Sequence, residues 1–174
     1  FSELLSHELG ADLTDDARTH IDFITKGAAR MRSLILSLLA LSRTERHTLS
    51  AVDTALDDCV DDALANLAAT LEESGAHISR DSLPRANVDR GLVIQLYQNL
   101  IGNALKFQRE DDSARIQITA ALEGEMLLLG VADNGIGIEP KFAEQIFKPF
   151  RRLHAESDFE GSGIGLSICK KIVE

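Results

Sequence analysis

Met126-Leu-Leu-Leu-Gly-Val-Ala-Asp133-Asn-Gly-Ile-Gly-Ile138 runs from an almost unbroken apolar stretch straight into an acid, an amide and two glycines. A short apolar run of this kind predicts a strand covered on one face by helices, with Asp133 standing where the strand ends. Working outward, Ile116, Ile118 and Ala120 alternate with polar residues, so a partner strand precedes it, and Glu123-Gly124 supplies the turn between them. Further upstream, Asp89 is placed to cap a helix that directs Leu92, Val93, Leu96, Leu100 and Ile101 toward the core and runs to about Phe107. Arg109 to Asp112 then reads as solvated loop. Leu56, Val60, Ala63, Leu64, Leu67 and Leu71 mark one earlier helix closed by Ser74-Gly75, Ala76 to Arg80 is a short strand, and Pro84 ends the segment after that strand. On the far side, Gly161-Ser-Gly163-Ile-Gly165-Leu166 opens a helix through Lys170. The expectation is an α/β domain.

The N-terminal part reads differently. From Thr14 to Ser42 the residues Ile21, Ile24, Ala28, Met31, Ile35 and Leu38 fall three and four apart, one narrow stripe on a helix of about eight turns. Thr14 is the expected N-cap, with Asp15 and Asp16 in the first turn, where negative charge suits the helix dipole. Phe1, Leu4 and Leu5 read as the tail of a preceding antiparallel helix, giving a helical hairpin whose long arm suits packing in a four-helix bundle. The polar stretch Thr44 to Ser50 separates it from the rest. The fold class expected is therefore α+β, with residues 1–48 a helical hairpin and 49–174 the α/β domain.

Composition narrows the partners. The chain has 174 residues, 44% of them hydrophobic, enough to bury a substantial core. Its 18 Lys and Arg face 28 Asp and Glu for a net charge of −10, which leaves no broad basic face and argues against nucleic acid. Cys59 and Cys169 lack metal-type spacing and are read as packing residues of a reducing compartment. No apolar run is long enough to cross a bilayer, so a cytoplasmic location without membrane contact by this segment is expected. The chain begins without methionine and ends within a helix, and is read as part of a longer polypeptide.

Three constellations carry chemistry. Asn99 and Asn103, four apart, project from one helix face with Lys106 beyond them. An amide oxygen can ligate Mg²⁺ without adding negative charge beside a triphosphate, and a lysine can neutralise phosphate oxygens. Asp133 can accept a hydrogen bond from an exocyclic amine, while Gly135 and Gly137 let backbone approach a flat base. Gly161, Gly163 and Gly165 feed amide donors and a helix dipole toward phosphate. Their GxGxG spacing, without a Walker lysine, argues against both Rossmann and P-loop readings.

Taken in order, Asn99-Leu-Ile-Gly-Asn103-Ala-Leu-Lys106-Phe107, Asp133-Asn-Gly-Ile-Gly, Phe147-Lys-Pro-Phe150-Arg-Arg152 and Gly161-Ser-Gly-Ile-Gly-Leu resemble the N box, first glycine box, F box and second glycine box of sensor histidine kinases. Phe1 to Arg43 resembles their dimerisation and phosphotransfer hairpin. Arg152-Leu-His154 and Cys169-Lys-Lys-Ile-Val-Glu174 bring it nearest the bacteriophytochrome kinases. The resemblance implies a GHKL-type ATPase domain, a two-layer α/β sandwich using ATP and Mg²⁺, with Asn103 the metal ligand, Asp133 paired with adenine, Lys106 and Arg152 near the phosphates, and Asp158 to Ser162 in a mobile lid. Asn99, Phe107, Gly135, Gly137, Ile138, Gly161, Gly163, Gly165 and Leu166 complete the ATP-binding set it implies. It also implies a homodimer, an N-terminal sensory domain, a response-regulator receiver domain as partner, and strands continuing beyond Glu174. Hydrolytic relatives such as gyrase, MutL and Hsp90-type enzymes resemble one another in having glutamate at position 99. Asn99 cannot serve as a general base near neutral pH, so transfer to a protein side chain is favoured over hydrolysis. A non-catalytic scaffold that has lost the acceptor is the other alternative.

His7, in Ser6-His7-Glu8, resembles the family's phosphoacceptor motif. Yet Gly10, Ala11 and Asp12 lead directly into the interhelical turn, whereas the family's acceptor lies well up the first helix, ~20 Å away at 1.5 Å rise per residue. The register therefore places the acceptor upstream of Phe1. His20, His47, His77 and His154 read as surface or packing residues.

Overall fold

The computed structural model describes Thr14, residues 16–21, 23–25, 27–28 and 31, and then 51–109, 111–124, 126–151, 153 and 163–174. Residues 16–21 are helical, and Thr14 caps them as expected: its Oγ1 accepts from the Ala17 N–H at 3.3 Å and its carbonyl from the Arg18 N–H at 2.9 Å. Ile24 and Met31 of the stripe are exposed. The first arm of the hairpin, and the stripe beyond Met31, lie outside the described residues.

From residue 51 the order is β1 (Val52–Ala55), α1 (Leu56–Asn66), α2 (Ala68–Ser74), β2 (His77–Arg80), β3 (Arg85–Val88), α3 (Arg90–Lys106), β4 (Arg115–Glu123), β5 (Met126–Asp133), a 3₁₀ turn (Pro140–Phe142) and α4 (Gly165–Val173). β2 and β4 pair in parallel, β4 and β5 antiparallel, giving a three-stranded sheet in the order β2-β4-β5. The register sets Ile118 opposite Val131 and Leu122 opposite Leu127. Every second residue thus faces the helices, and in the apolar run Leu127, Leu129 and Val131 join the core while Met126 and Leu128 remain exposed.

The core lies between this sheet and α1 and α3. Leu56, Cys59, Val60 and Ala63 of α1 meet Val93, Tyr97, Ile101, Ala104 and Leu105 of α3 over Ile116 and Ile118 of β4. Each fully buried large side chain contributes roughly 1.5–3 kcal/mol relative to exposure. Leu92 and Leu100, expected in the core, sit half-buried on the flanks of the α3 stripe, because Tyr97 and Ala104 complete the register that faces the sheet.

Two expectations are corrected. The helix expected from Leu56 to Ser74 is two helices, since Leu67 (φ −104°, ψ 9°) turns its N–H back to the carbonyls of Leu64 and Ala65 and ends the first. Asn66, a residue whose side chain competes with helical backbone bonds, precedes the break. β1 and β3 stand where the sequence pattern predicts no strand. They form a separate antiparallel pair in which Val52 faces Val88 and Ala55 faces Arg85, tied at its edge by Asp53 and Arg85 at 2.9 Å. Four-residue strands interrupted by Asp53 and Arg85 leave too short an alternation to detect, and their pairing is decided by residues 30 or more positions away.

A nucleotide-type site at the end of α3

The site is assembled around the C-terminal half of α3. Asp89 starts that helix as expected, its Oδ1 accepting from the Leu92 N–H at 3.2 Å. The four-residue spacing then sets Asn99 and Asn103 on one face, both half-buried. The Asn103 carbonyl accepts from the Phe107 N–H at 2.9 Å as the helix closes, and the Lys106 ammonium lies 4.6 Å over the Phe107 ring.

At the end of β5, the Asp133 carboxylate folds onto its own loop. Its Oδ1 accepts from the Gly135 N–H at 2.8 Å, and Asp133 Oδ2 has no hydrogen-bond partner among the described residues. The next N–H, of Ile136, donates to the Phe107 carbonyl at 3.0 Å, so the glycine loop is stitched to the end of α3. Gly135 fits there because it has no Cβ: one added at this position would lie 2.5 Å from the Phe107 carbonyl oxygen and 2.7 Å from Asp133 Oδ1. Gly137 has φ +75°, which a side chain would strain, and Ile138 beyond it is exposed.

The third constellation reaches α3 from the other side. A Cβ on Gly165, at the start of α4, would sit 3.3 Å from Asn99 Oδ1, so the Asn99 side chain lies against the opening turn of α4. Asn99 Nδ2 is buried, with no conventional hydrogen-bond partner among the described residues and the Cys169 sulfur as its weak neighbour. Four residues along α4, burial pushes the Cys169 thiol up to about 11, partly offset by the Asn99 side chain beside it. The Cys169 Sγ faces the Leu96 carbonyl at 4.0 Å. Both cysteines are buried and free, as expected of packing residues. Leu166 is half-buried beside Ser167, whose Oγ donates to the Ile164 carbonyl at 2.7 Å. Phe150 connects the preceding segment. It is the non-glycine residue with positive φ among those described, at 62°, and its N–H donates to the carbonyl of Gly163, itself at φ +70°, at 3.1 Å.

Contacts from Phe107 to Gly135 and Ile136, and from Asn99 to Gly165, thus bring the three expected constellations together on one helix. His7, Arg152, Gly161 and the 158–162 segment lie outside the described residues. Arg109 to Asp112 is loop with Arg109 and Asp111 exposed, as read from sequence, and it also supports the site. Arg109 Nε donates to the Gly135 carbonyl at 3.1 Å, and Asp112 accepts from the Asn134 amide at 3.0 Å. Periodicity carries no sign of this, because the contacts are between loops. Among the described residues no three His, Cys, Asp or Glu side chains gather as a metal site, and no helix is long and apolar enough to cross a membrane.

Residues 88–174 match the family described as histidine kinase-, DNA gyrase B-, and HSP90-like ATPases. The chain belongs to this family. The phytochrome-like protein Cph1 of Synechocystis sp. is 39% identical over the whole chain, which spans 23% of that relative. The methanogenesis regulatory histidine kinase FilI of Methanothrix harundinacea is 30% identical, again over the whole chain and 20% of its own length. Among solved structures, full-length ShkA in complex with AMPPNP superposes with a TM-score of 0.69 at 23% identity, covering 98% of this chain and 40% of that one. The histidine kinase ThkA in complex with the response regulator protein TrrA gives 0.69 at 21% identity, covering 99% and 49%. At these identities the two structures show the fold alone, and it agrees with the GHKL-type α/β ATPase domain of the matched family.

Proposed function

We propose that this chain is the catalytic core of a two-component sensor histidine kinase, which binds Mg·ATP at the end of α3 and transfers the γ-phosphoryl group to a histidine. The observation that carries the reading is the gathering of Asn99, Asn103, Asp133 and the Gly165 turn around one helix, with an amide at position 99. Family membership and the AMPPNP bound in the ShkA structure support it.

The residues fit a nucleotide. Asp133 Oδ2 is the acceptor left for an exocyclic amine, and the Gly135 to Gly137 loop offers bare backbone to a base. Asn99 Nδ2, buried beside the α4 opening and met there only weakly by the Cys169 sulfur, is a donor whose desolvation an anionic ligand would offset. They also fit Mg²⁺ held mainly by phosphate oxygens and water, since the face offers the neutral oxygen of Asn103 and, among the described residues, no carboxylate cage. When bound, the ion supplies charge neutralisation across the phosphates. Asn103 would hold it and Lys106, with Arg152, would meet phosphate oxygens. Asn99 can orient but cannot take a proton from water, which leaves positioning for in-line attack by an imidazole as the chain's task.

In this reading residues 1–48 form the dimerising hairpin and 49–174 the catalytic domain. The acceptor lies upstream of Phe1 rather than at His7. The phosphate then passes to an aspartate of a response regulator, the class of partner held by ThkA in its complex. A sensory domain N-terminal to the hairpin would control the reaction, in the cytoplasm. The test is incubation with γ-labelled Mg·ATP, alone and with a histidine-containing hairpin supplied in trans, scoring acid-labile and base-stable label. Label on the hairpin alone is expected. Label on this chain that His7→Ala abolishes would make His7 the acceptor, and release of phosphate without a phosphoprotein would make the protein a hydrolytic ATPase.

A further inference from the structure

Asp133 reads the base at the proposed site, yet it is exposed at the end of β5, and the bond from the Gly135 N–H to its Oδ1 fixes the carboxylate only as firmly as the Asn134-Gly135 turn is itself held. The neighbouring side chain answers this. Asn134 is half-buried, and its side chain bonds to the loop before β4. Its Oδ1 accepts from the Arg115 N–H at 2.7 Å, and its Nδ2 donates both to Asp112 Oδ2 at 3.0 Å and to the Ser113 carbonyl at 3.1 Å. Both polar atoms of the Asn134 amide are thus spent on residues 112–115. Asp112 is in turn fixed by a two-pronged pair with Arg115, both bonds 3.0 Å. From the other side Arg109 holds the Gly135 carbonyl at 3.1 Å. Asn134 and Gly135, the two residues after Asp133, are therefore tied to the single loop that joins α3 to β4.

We infer that Asn134, braced by Asp112 and Arg115, is a positioning residue for base recognition: it fixes the Asp133 carboxylate so that Oδ2 meets the exocyclic amine of adenine. The inference rests on the reading of the site as an ATP site. Asn134 touches no nucleotide itself. Its removal frees the Asp133 turn to rotate, so the loss falls on the contact that distinguishes adenine from other purines, and much less on phosphate binding by the α3 and α4 residues.

The experiment compares the affinities of the full chain for Mg·ATP and for Mg·inosine triphosphate, which carries a carbonyl where ATP carries the amine. The wild-type chain should prefer ATP by at least about tenfold, the order expected of a hydrogen bond to a charged acceptor replaced by two facing acceptors. Asn134→Ala should lose most of that preference through weakened ATP binding, with inosine triphosphate affinity changed by less than about twofold. Asp112→Ala leaves Asn134 its bonds to Ser113 and Arg115 and should lose part of the preference. It also decides the matter if Asn134→Ala does not fold, as thermal melting would reveal. Equal weakening of both nucleotides in the folded variants, or an unchanged preference in them, overturns the positioning role and leaves Asp133 as the base reader. A wild-type chain that binds ATP and does not distinguish the two nucleotides removes Asp133 from base recognition and the inference with it, and one that binds neither removes the ATP site altogether.

Discussion

At the scale of single residues, Gly135 and Gly137 are two residues apart and required for different physical reasons. Gly135 occupies a place with no room for a methyl group, 2.5 Å from the Phe107 carbonyl oxygen, whereas Gly137 has open space around it and a backbone at φ +75°. Gly135→Ala should therefore push the loop off α3, costing roughly 1–3 kcal/mol and abolishing ATP binding. Gly137→Ala should cost about 1–2 kcal/mol through its left-handed backbone alone, with binding weakened and retained. Urea melts paired with nucleotide titrations of the two variants check both values. Both glycines are legible in the sequence, because the Asp133-Asn-Gly-Ile-Gly pattern follows a strand. Their separate roles are not, since a missing Cβ and a positive φ are written with the same letter.

At the scale of elements, α3 does the organising, and its start and finish are separately controlled. Its N-terminus rests on the Asp89 carboxylate, and no acid follows in its first turn. Asp89→Ala should destabilise the domain by about 1 kcal/mol, visible as a lower urea midpoint at unchanged slope, while nucleotide affinity holds because the site is at the other end of the helix. The elements legible in the sequence are those with long periods or strong caps: α3, the β4-β5 hairpin, and the capped start at Thr14. The break at Leu67 is not, because Leu67 and Leu71 continue the apolar spacing across it and only the backbone records the turn. β1 and β3 escape for the opposite reason, being short and charged and defined by each other rather than by their own pattern. The Arg109 to Arg115 loop belongs with them: its polar residues look solvated in sequence, yet Arg109, Asp112, Ser113 and Arg115 hold the site through contacts with Asn134 and Gly135.

For the whole molecule, the buried groups that can ionise set an alkaline limit. Burial raises the Tyr97 phenol from its usual 10.0 to about 12 and the Cys169 thiol from 9.0 to about 11. Both are neutral acids in the folded core, so the stability they protect is complete below the unfolded values. The unfolded chain ionises first as pH rises, and stability falls from about 9 through 11 for Cys169 and from 10 through 12 for Tyr97. The melting temperature should be flat with respect to these two groups from about pH 7 to 8.5 and decline above about 9, and Cys169→Ala should lessen the lower part of that decline, to which the Cys59 thiol, also raised by burial, contributes, in a pH series of thermal melts.

The central claim is that the end of α3 is an adenine-nucleotide site used for transfer, and Asp133 is its most exposed commitment. The deciding measurement is calorimetric titration of this chain with Mg·ATP, wild type against Asp133→Ala, with melting confirming that both are folded. Saturable binding weakened about 10- to 100-fold in the variant, the range for losing a hydrogen bond to a charged group, is the result expected. Equal affinity in the two chains, or no binding by a folded wild type, would contradict the account.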